Sequence, residues 1–301
     1  MTIPEAGTES VARAFTVKRL ASPVNVLWHF CRAKPLGAAG GVLVVVLVLL
    51  ALLAGVVSPY APNEQHAADA VVGPNSRYLL GTDSFGRDQL SRIIYGARVS
   101  LKVGLIAVGI GVGAGTVLGV VSGFFKGAVD SAIQGVMDAL MAFPGLVLAM
   151  ILVAVLGTSI VNVMIAIGVT FIPTVCRVAR GSVLSVSENA YIEAARSIGV
   201  PAPRLLLVHI LPNVAAPLII IATAGLGGAI LTEAGLSFLG LGTQPPDPSW
   251  GQMLSTAAGV MQKAAPWLTL YPGIAITLSV LGFNLLGDAL RDVWDPRLRG
   301  T

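Results

Sequence analysis

Charge is what this sequence has least of: Asp, Glu, Lys and Arg make up 11% of its 301 residues, against about 25% in soluble domains. That excludes a globular protein with an ordinary hydrated surface. Cysteine is almost missing. Cys31 and Cys176 both fall near the same predicted side, so the chain has no disulfide framework and no metal-ligand spacing. The three histidines, His29, His66 and His209, lie in different segments, and neither HExxH nor a serine in GxSxG occurs. No nucleophile, metal or base is gathered in one place, so no catalytic site is predicted. GxxxxGK[ST] is missing too, and the chain cannot cradle nucleotide phosphates by that route.

What remains is oil and glycine. Hydrophobic residues are 55% of the chain, glycines number 35 and the mean hydropathy is +0.83. A hydrocarbon layer of about 30 Å takes about 20 mostly apolar residues per helix. Such runs occur at 36–57, 99–123, 133–156, 160–179, 213–236 and 267–290, so the expected fold class is all-α with six transmembrane helices. GVLVVVLVLLALLAGVV at 41–57 is apolar on every side, which argues against alternating transmembrane strands. The first run is too long for the core of a cleavable signal and reads as a retained anchor. With the N-terminus inside, thirteen of the nineteen Lys and Arg fall on inner segments, and the C-terminus is inside as well. This asymmetry accounts for the net +4 charge without nucleic acid as a partner; the lipid bilayer is the first partner implied.

The expected organisation follows: 1–35, an inner N-terminal segment; 36–57, the first span; 58–98, an outer segment; 99–290, a membrane core with an inner loop at about 182–212; and 291–301, an inner tail. In the first segment Val24, Leu27, Trp28 and Cys31 share one stripe of a helix that either lies in the interface or packs on the bundle. Gly111, Gly115, Gly119 and Gly123 form a small-xxx-small ladder in span two, for close helix packing or for lining a pathway. Pro144-Gly145 in span three and Pro173 in span four predict kinks.

Ionisable groups inside the spans are few. Glu233 and Asp288 fall near span ends, where a charge costs much less than the ~2.5–3.5 kcal/mol of the helix centre. Asp138, about one and a half turns inside span three, either bonds structurally or faces a pathway. No chain of intramembrane acids is present, so proton or sodium coupling as a self-sufficient secondary transporter is the weaker alternative.

One inner stretch breaks the pattern. YIEAARSIGVPAPRLLLVHILPN at 191–213 reads as a short polar helix, a stop at Gly199, Pro201 and Pro203, and a second short helix that runs into span five. Ala190, Glu193, Ala194 and Ser197 share one side of the first helix, small enough to fit closely into a partner.

The spacing EAA-x3-G-x10-ILP in that stretch resembles the cytoplasmic EAA loop of ATP-binding-cassette importer permeases. Three more stretches narrow the likeness: LGTDSFGRDQLSRIIYGARVSL at 80–101, GLSFLGLGTQPPDPSWGQML at 235–254 and LGDALRDVWDPRLRG at 286–300. They resemble the second permease type of dipeptide, oligopeptide and nickel importers, from about residue 75 to the end. The resemblance implies a type I importer half-channel that pairs with a homologous permease. It also implies two ATPase subunits or domains, which hold ATP and magnesium, and an extracytoplasmic binding protein that delivers a di- or oligopeptide. The location implied is the bacterial cytoplasmic membrane. Glu193, Ala194, Ala195 and Gly199 are the implied coupling residues. Two outer motifs, Gly81, Thr82, Asp83, Gly86, Arg87 and Asp88 in one loop and Gln244, Pro245, Pro246, Pro248, Ser249 and Trp250 in the other, either meet the binding protein or shape a gate. A structural role is expected for the first loop over direct peptide contact, and because an exposed Asp–Arg pair there would be worth ~0–1 kcal/mol, loss of Arg87 is expected to be mild unless it is buried. Nickel remains an alternative cargo of the same family.

Overall fold

The structure is a computed structural model that describes residues 31–32, 34–258 and 265–294. The stripe residues Val24, Leu27 and Trp28, most of the 1–35 segment and all but the start of the 291–301 tail lie outside the described residues.

Among the described residues five helices are long and apolar enough to cross a membrane, and a bent pair of shorter helices is so when taken together. α1 (Pro35–Leu52) starts with proline at its first position, where no amide donor is needed. A segment of turns follows, and α2 (Gln89–Phe125) then runs for 37 residues, about 55 Å. Its start is ten residues earlier than the predicted span. The reason is a capping aspartate: Asp88 Oδ2 accepts from the Ser91 amide at 2.8 Å, and the helix projects beyond the hydrocarbon with Arg92 and Arg98 on it.

Span three is not one kinked helix. It is α3 (Gly127–Met141) and α4 (Gly145–Leu156), set at 91° to each other. Pro144 has no amide hydrogen and sits with extended backbone at the start of α4. α5 (Ile160–Ser187) carries Pro173 within it, α6 (Ala190–Ser197) is the short inner helix, and a helical stretch from Ala202 leads into α7 (Leu211–Phe238). The turns at Leu205–Ile210 are of the wider π type. Pro212 has no N–H to bond back to Val208, and the turns before it widen. α8 (Trp250–Ala257) is a short helix after the turn that follows α7, and α9 (Trp267–Trp294) is the last span.

Glycine decides which helices touch. A methyl at Gly115 would stand 2.7 Å from Val175 Cβ and 2.8 Å from the Ile172 carbonyl; at Gly111, 2.8 Å from Phe171 Cβ; at Gly123, 3.0 Å from the Arg180 carbonyl. At Gly119 it would fall on the Cys176 carbonyl. All four ladder glycines therefore face α5, backbone against backbone, which is how helices associate when lipid supplies no hydrophobic drive. Gly40 and Gly282 do the same for α1 and α9. At one end of that pair Lys34 Nζ and Asp292 Oδ2 lie 2.6 Å apart, so both helix ends share a side.

Candidate functional site

At the end of the bundle where α2 meets Lys126, α6 is anchored by one buried residue and steadied by others. Ile192 is fully buried among Val183, Leu205, Ile210 and Val214. Tyr191 OH accepts from Asn213 Nδ2 at 3.3 Å, and the Arg196 guanidinium lies 5.8 Å from the Phe124 ring. The opposite side is open: Ala190, Glu193, Ala194 and Ser197 are all exposed, whereas Ala195 turns partly into the bundle. Of the implied EAA set, Glu193 and Ala194 are presented and Ala195 is packing.

The helix ends in a Schellman motif. Gly199 N–H donates to the Arg196 carbonyl at 3.0 Å and Val200 N–H to the Ala195 carbonyl at 3.1 Å. Gly199 has φ +77°, a left-handed conformation that glycine adopts without penalty. Ile198 next to it is 81% exposed, a bare apolar side chain at the tip of a polar helix.

Behind this loop the inner ends of the helices are clamped by charge. Arg180 forks onto Asp130, Nε to Oδ1 and Nη2 to Oδ2, both at 2.6 Å, and Ser122 donates to the same carboxylate. Asp138 pairs with Arg177, so its charge is answered from α5.

At the opposite end of the bundle the two motif loops are parts of one structure. Asp83 is its hub: Oδ1 accepts from the amides of Phe85 (2.9 Å) and Arg87 (3.0 Å), and Oδ2 from Arg87 Nε (2.7 Å). The side chains of Asp83 and Arg87 are 10% and 11% exposed. The pair is therefore the buried case and not the exposed one, because neighbouring chain covers both partners. Arg92, buried, stands 3.8 Å from the same carboxylate and donates to the Pro62 carbonyl at 3.0 Å. Gly81 and Gly86 have φ of +79° and +71°, and a side chain at either would meet the Val72 or the His66 carbonyl. Thr82 and Asp88 pair across the loop. Beside it, burial first and then the hydrogen bond to Asp69 push the Tyr78 phenol up to about 12.

The second loop is held by a carboxylate that sequence reading set aside. Glu233 is fully buried, and its Oε1 accepts from Ser237 (2.7 Å), Ser249 (2.8 Å) and Thr243 (3.2 Å). Ser237 Oγ in turn accepts from the Thr243 amide. Trp250, also buried, donates to the Ile93 carbonyl at 3.0 Å and ties the loop to α2. Gln244, Pro245 and Pro246 are exposed at the tip, whereas Pro248, Ser249 and Trp250 are buried. The i, i+4 spacing of Glu233 and Ser237 was the one local signal for this knot.

Midway along the membrane helices, α2, α5 and α7 line a groove of about 360 Å³. Its walls include Ala107, Val108, Phe171 and Gly225, and Thr170 and Thr232 are its polar points. Both hydroxyls donate to carbonyls of their own helices, Ile167 and Gly228. Among the described residues no charged side chain lines it.

Residues 115–300 match the family model described as binding-protein-dependent transport system inner membrane component. Residues 22–76 match the N-terminal TM domain of oligopeptide transport permease C, so the likeness reaches further toward the N-terminus than the sequence motifs do. The chain is 43% identical over 283 residues to glutathione transport system permease protein GsiD of Salmonella typhimurium, covering 94% of this chain and 93% of the relative. It is 41% identical over 278 residues to dipeptide transport system permease protein DppC of Alkalihalophilus pseudofirmus, covering 92% and 91%. With the di/tripeptide permease DppC of Pseudomonas aeruginosa it shares 43% over 288 residues, 93% and 94%. Among solved structures, an inward-facing MetNI methionine ABC transporter matches with a TM-score of 0.57 at 17% identity, over 68% of this chain and 97% of that one.

Proposed function

Because this chain belongs to the family of binding-protein-dependent inner-membrane transport components, we propose that it forms one half of the channel of an ATP-driven peptide importer. It is a transport subunit and not an enzyme; in this family ATP is hydrolysed by partner ATPases. A homologous permease completes the channel, two ATPase subunits or domains holding ATP and magnesium dock on the inner face, and an extracytoplasmic binding protein delivers cargo. The membrane is the bacterial cytoplasmic membrane, with both termini inside.

The observation that carries this reading is α6. An eight-residue helix that buries one isoleucine and offers Glu193 and Ala194 to the solvent, closed by a glycine stop, suits insertion into a groove of an ATPase. ATP binding then draws α6 and its counterpart together and opens the pathway outward; hydrolysis resets it. Names of the relatives support a short peptide or glutathione as cargo over nickel. The charge-free wall around Thr170 and Thr232 fits a pathway that passes many sequences and leaves selection to the binding protein.

Reconstituted with its sister permease, ATPases and binding protein, the chain is expected to support ATP-dependent uptake of a labelled dipeptide, lost when the binding protein is left out. Uptake with no ATPase present would overturn the importer reading.

The orientation has its own test. In a variant without Cys31 and Cys176, single cysteines at Gln65 and Gln244 are expected to react with an impermeant reagent added to intact cells, and one at Arg204 only after the membrane is opened. The reverse pattern inverts the topology.

A further inference from the structure

Two cations on the outer part of α2 take no part in coupling, in the outer motifs or in the mid-membrane groove. Arg98 and Lys102 are four residues apart, so they stand one above the other on a single face, and both are exposed. With Ala51, Leu52, Leu101, Leu105 and Ile106 they line an open groove of about 450 Å³ between the end of α1 and α2. Arg98 is held in place there. Its Nε donates to the Ala51 carbonyl at 2.9 Å and Nη2 to the Leu52 carbonyl at 3.3 Å, and its Cζ lies 5.4 Å from the Tyr95 ring. Lys102 makes no hydrogen bond or ion pair among the described residues, and no carboxylate among them pairs with either cation.

Depth identifies the surroundings. Lys126 closes α2 at its inner end. The twenty-four residues from Lys102 to Lys126 span about 36 Å of helix, just over the hydrocarbon thickness of about 30 Å. Lys102 therefore sits at the outer headgroup level, with Arg98 one turn above it and exposed Leu105 and Ile106 below it in the acyl region. Two like charges one turn apart repel, and cations are scarce on the outer side of membrane proteins. An anion between them answers both facts, and the apolar floor below asks that this anion carry a hydrocarbon chain.

We propose that Arg98 and Lys102 bind the phosphate of an anionic phospholipid of the outer leaflet, with one acyl chain along Leu101, Leu105 and Ile106. Arg98 supplies an oriented guanidinium and Lys102 a mobile ammonium, a combination that grips a phosphodiester. A zwitterionic lipid, which brings its own cation to the same place, is held less well.

The test uses the complete complex, with sister permease and ATPases, extracted in mild detergent from membranes that contain phosphatidylglycerol and phosphatidylethanolamine. Native mass spectrometry of the wild type is expected to show retained phosphatidylglycerol in preference to phosphatidylethanolamine, and the R98Q/K102Q variant to lose that preference. Lys102→Gln alone touches no protein group and serves if the double variant fails to assemble; Lys102→Arg is expected to retain the lipid. Equal retention of phosphatidylglycerol by wild type and Lys102→Gln overturns the proposal, as does equal retention of both lipids by the wild type. A crosslink from a cysteine at Ile106 to the sister permease also overturns it, because protein then covers the groove.

Discussion

Exchange of Gly199 for valine is expected to abolish binding-protein-stimulated ATP hydrolysis and to cut peptide uptake by at least about tenfold, the equivalent of about 1.4 kcal/mol. The cause is conformational. Nothing stands within 4 Å of where a side chain at Gly199 would begin, so there is no clash to relieve. The cost comes from φ +77°, which an L-residue reaches at roughly 1–2 kcal/mol and a β-branched one at more. Valine gives up that conformation together with the two Schellman bonds, and α6 loses its stop. Asparagine enters the left-handed region readily, so Gly199→Asn is expected to keep most of the activity. Glu193→Lys attacks the same coupling from outside: the helix survives, while the charge offered to the ATPase reverses. Its uptake is expected to fall by a similar factor, with less ATPase recovered in a pull-down and with peptide binding to the free binding protein unchanged. Full uptake by both Gly199→Val and Glu193→Lys would return the loop to a solvated surface turn.

The second large effect is expected at Glu233. Replacement by alanine removes the one acceptor shared by Ser237, Thr243 and Ser249, all three buried. Each hydroxyl left unsatisfied costs about 1–3 kcal/mol, and the missing carboxylate leaves a void besides. The hydroxyls alone come to about 3 kcal/mol or more, enough to release the loop at 239–249 from α7. Glu233→Ala is therefore expected to lower the melting temperature of the purified complex markedly and to reduce its yield on size-exclusion chromatography. Glu233→Gln keeps the accepting oxygen and is expected to stay near wild type. A Glu233→Ala complex that assembles and melts as wild type would show that the three hydroxyls find other acceptors.

Much of the frame was legible before the structure. Long apolar runs announce spans because the bilayer leaves a chain few choices, and Pro144-Gly145 and Gly199 marked a break and a stop where backbone chemistry demands them. The start of α2 was missed because hydropathy falls at Arg92 and Arg98, although the helix continues; Asp88 three residues before Ser91 carried the capping signal. Burial of Arg87 with Asp83 is not legible in the sequence because it depends on chain drawn in from elsewhere. Pro62 lies above Arg92, and Leu268, 179 residues away, accepts from Gln89. Glu233 reads in the sequence only as a charge near a span end, for the same reason. Its donors sit at 237, 243 and 249, and apart from the first of them they follow no helical period, so only the folded loop brings them to one oxygen.

The backbone contact along Gly111, Gly115, Gly119 and Gly123 has a mechanical corollary. Where side chains separate two helices, a push is partly spent in changes of rotamer; where glycine meets carbonyl, no rotamer is left to yield. α2 and α5 thus make a single stiff strut. Only Glu188 and Asn189 separate its inner end from α6, and Asp88 caps its outer end in the loop organised by Asp83. α2 alone runs about 55 Å between those two ends. Span three is built the opposite way: it is folded in two at a right angle between Met141 and Gly145.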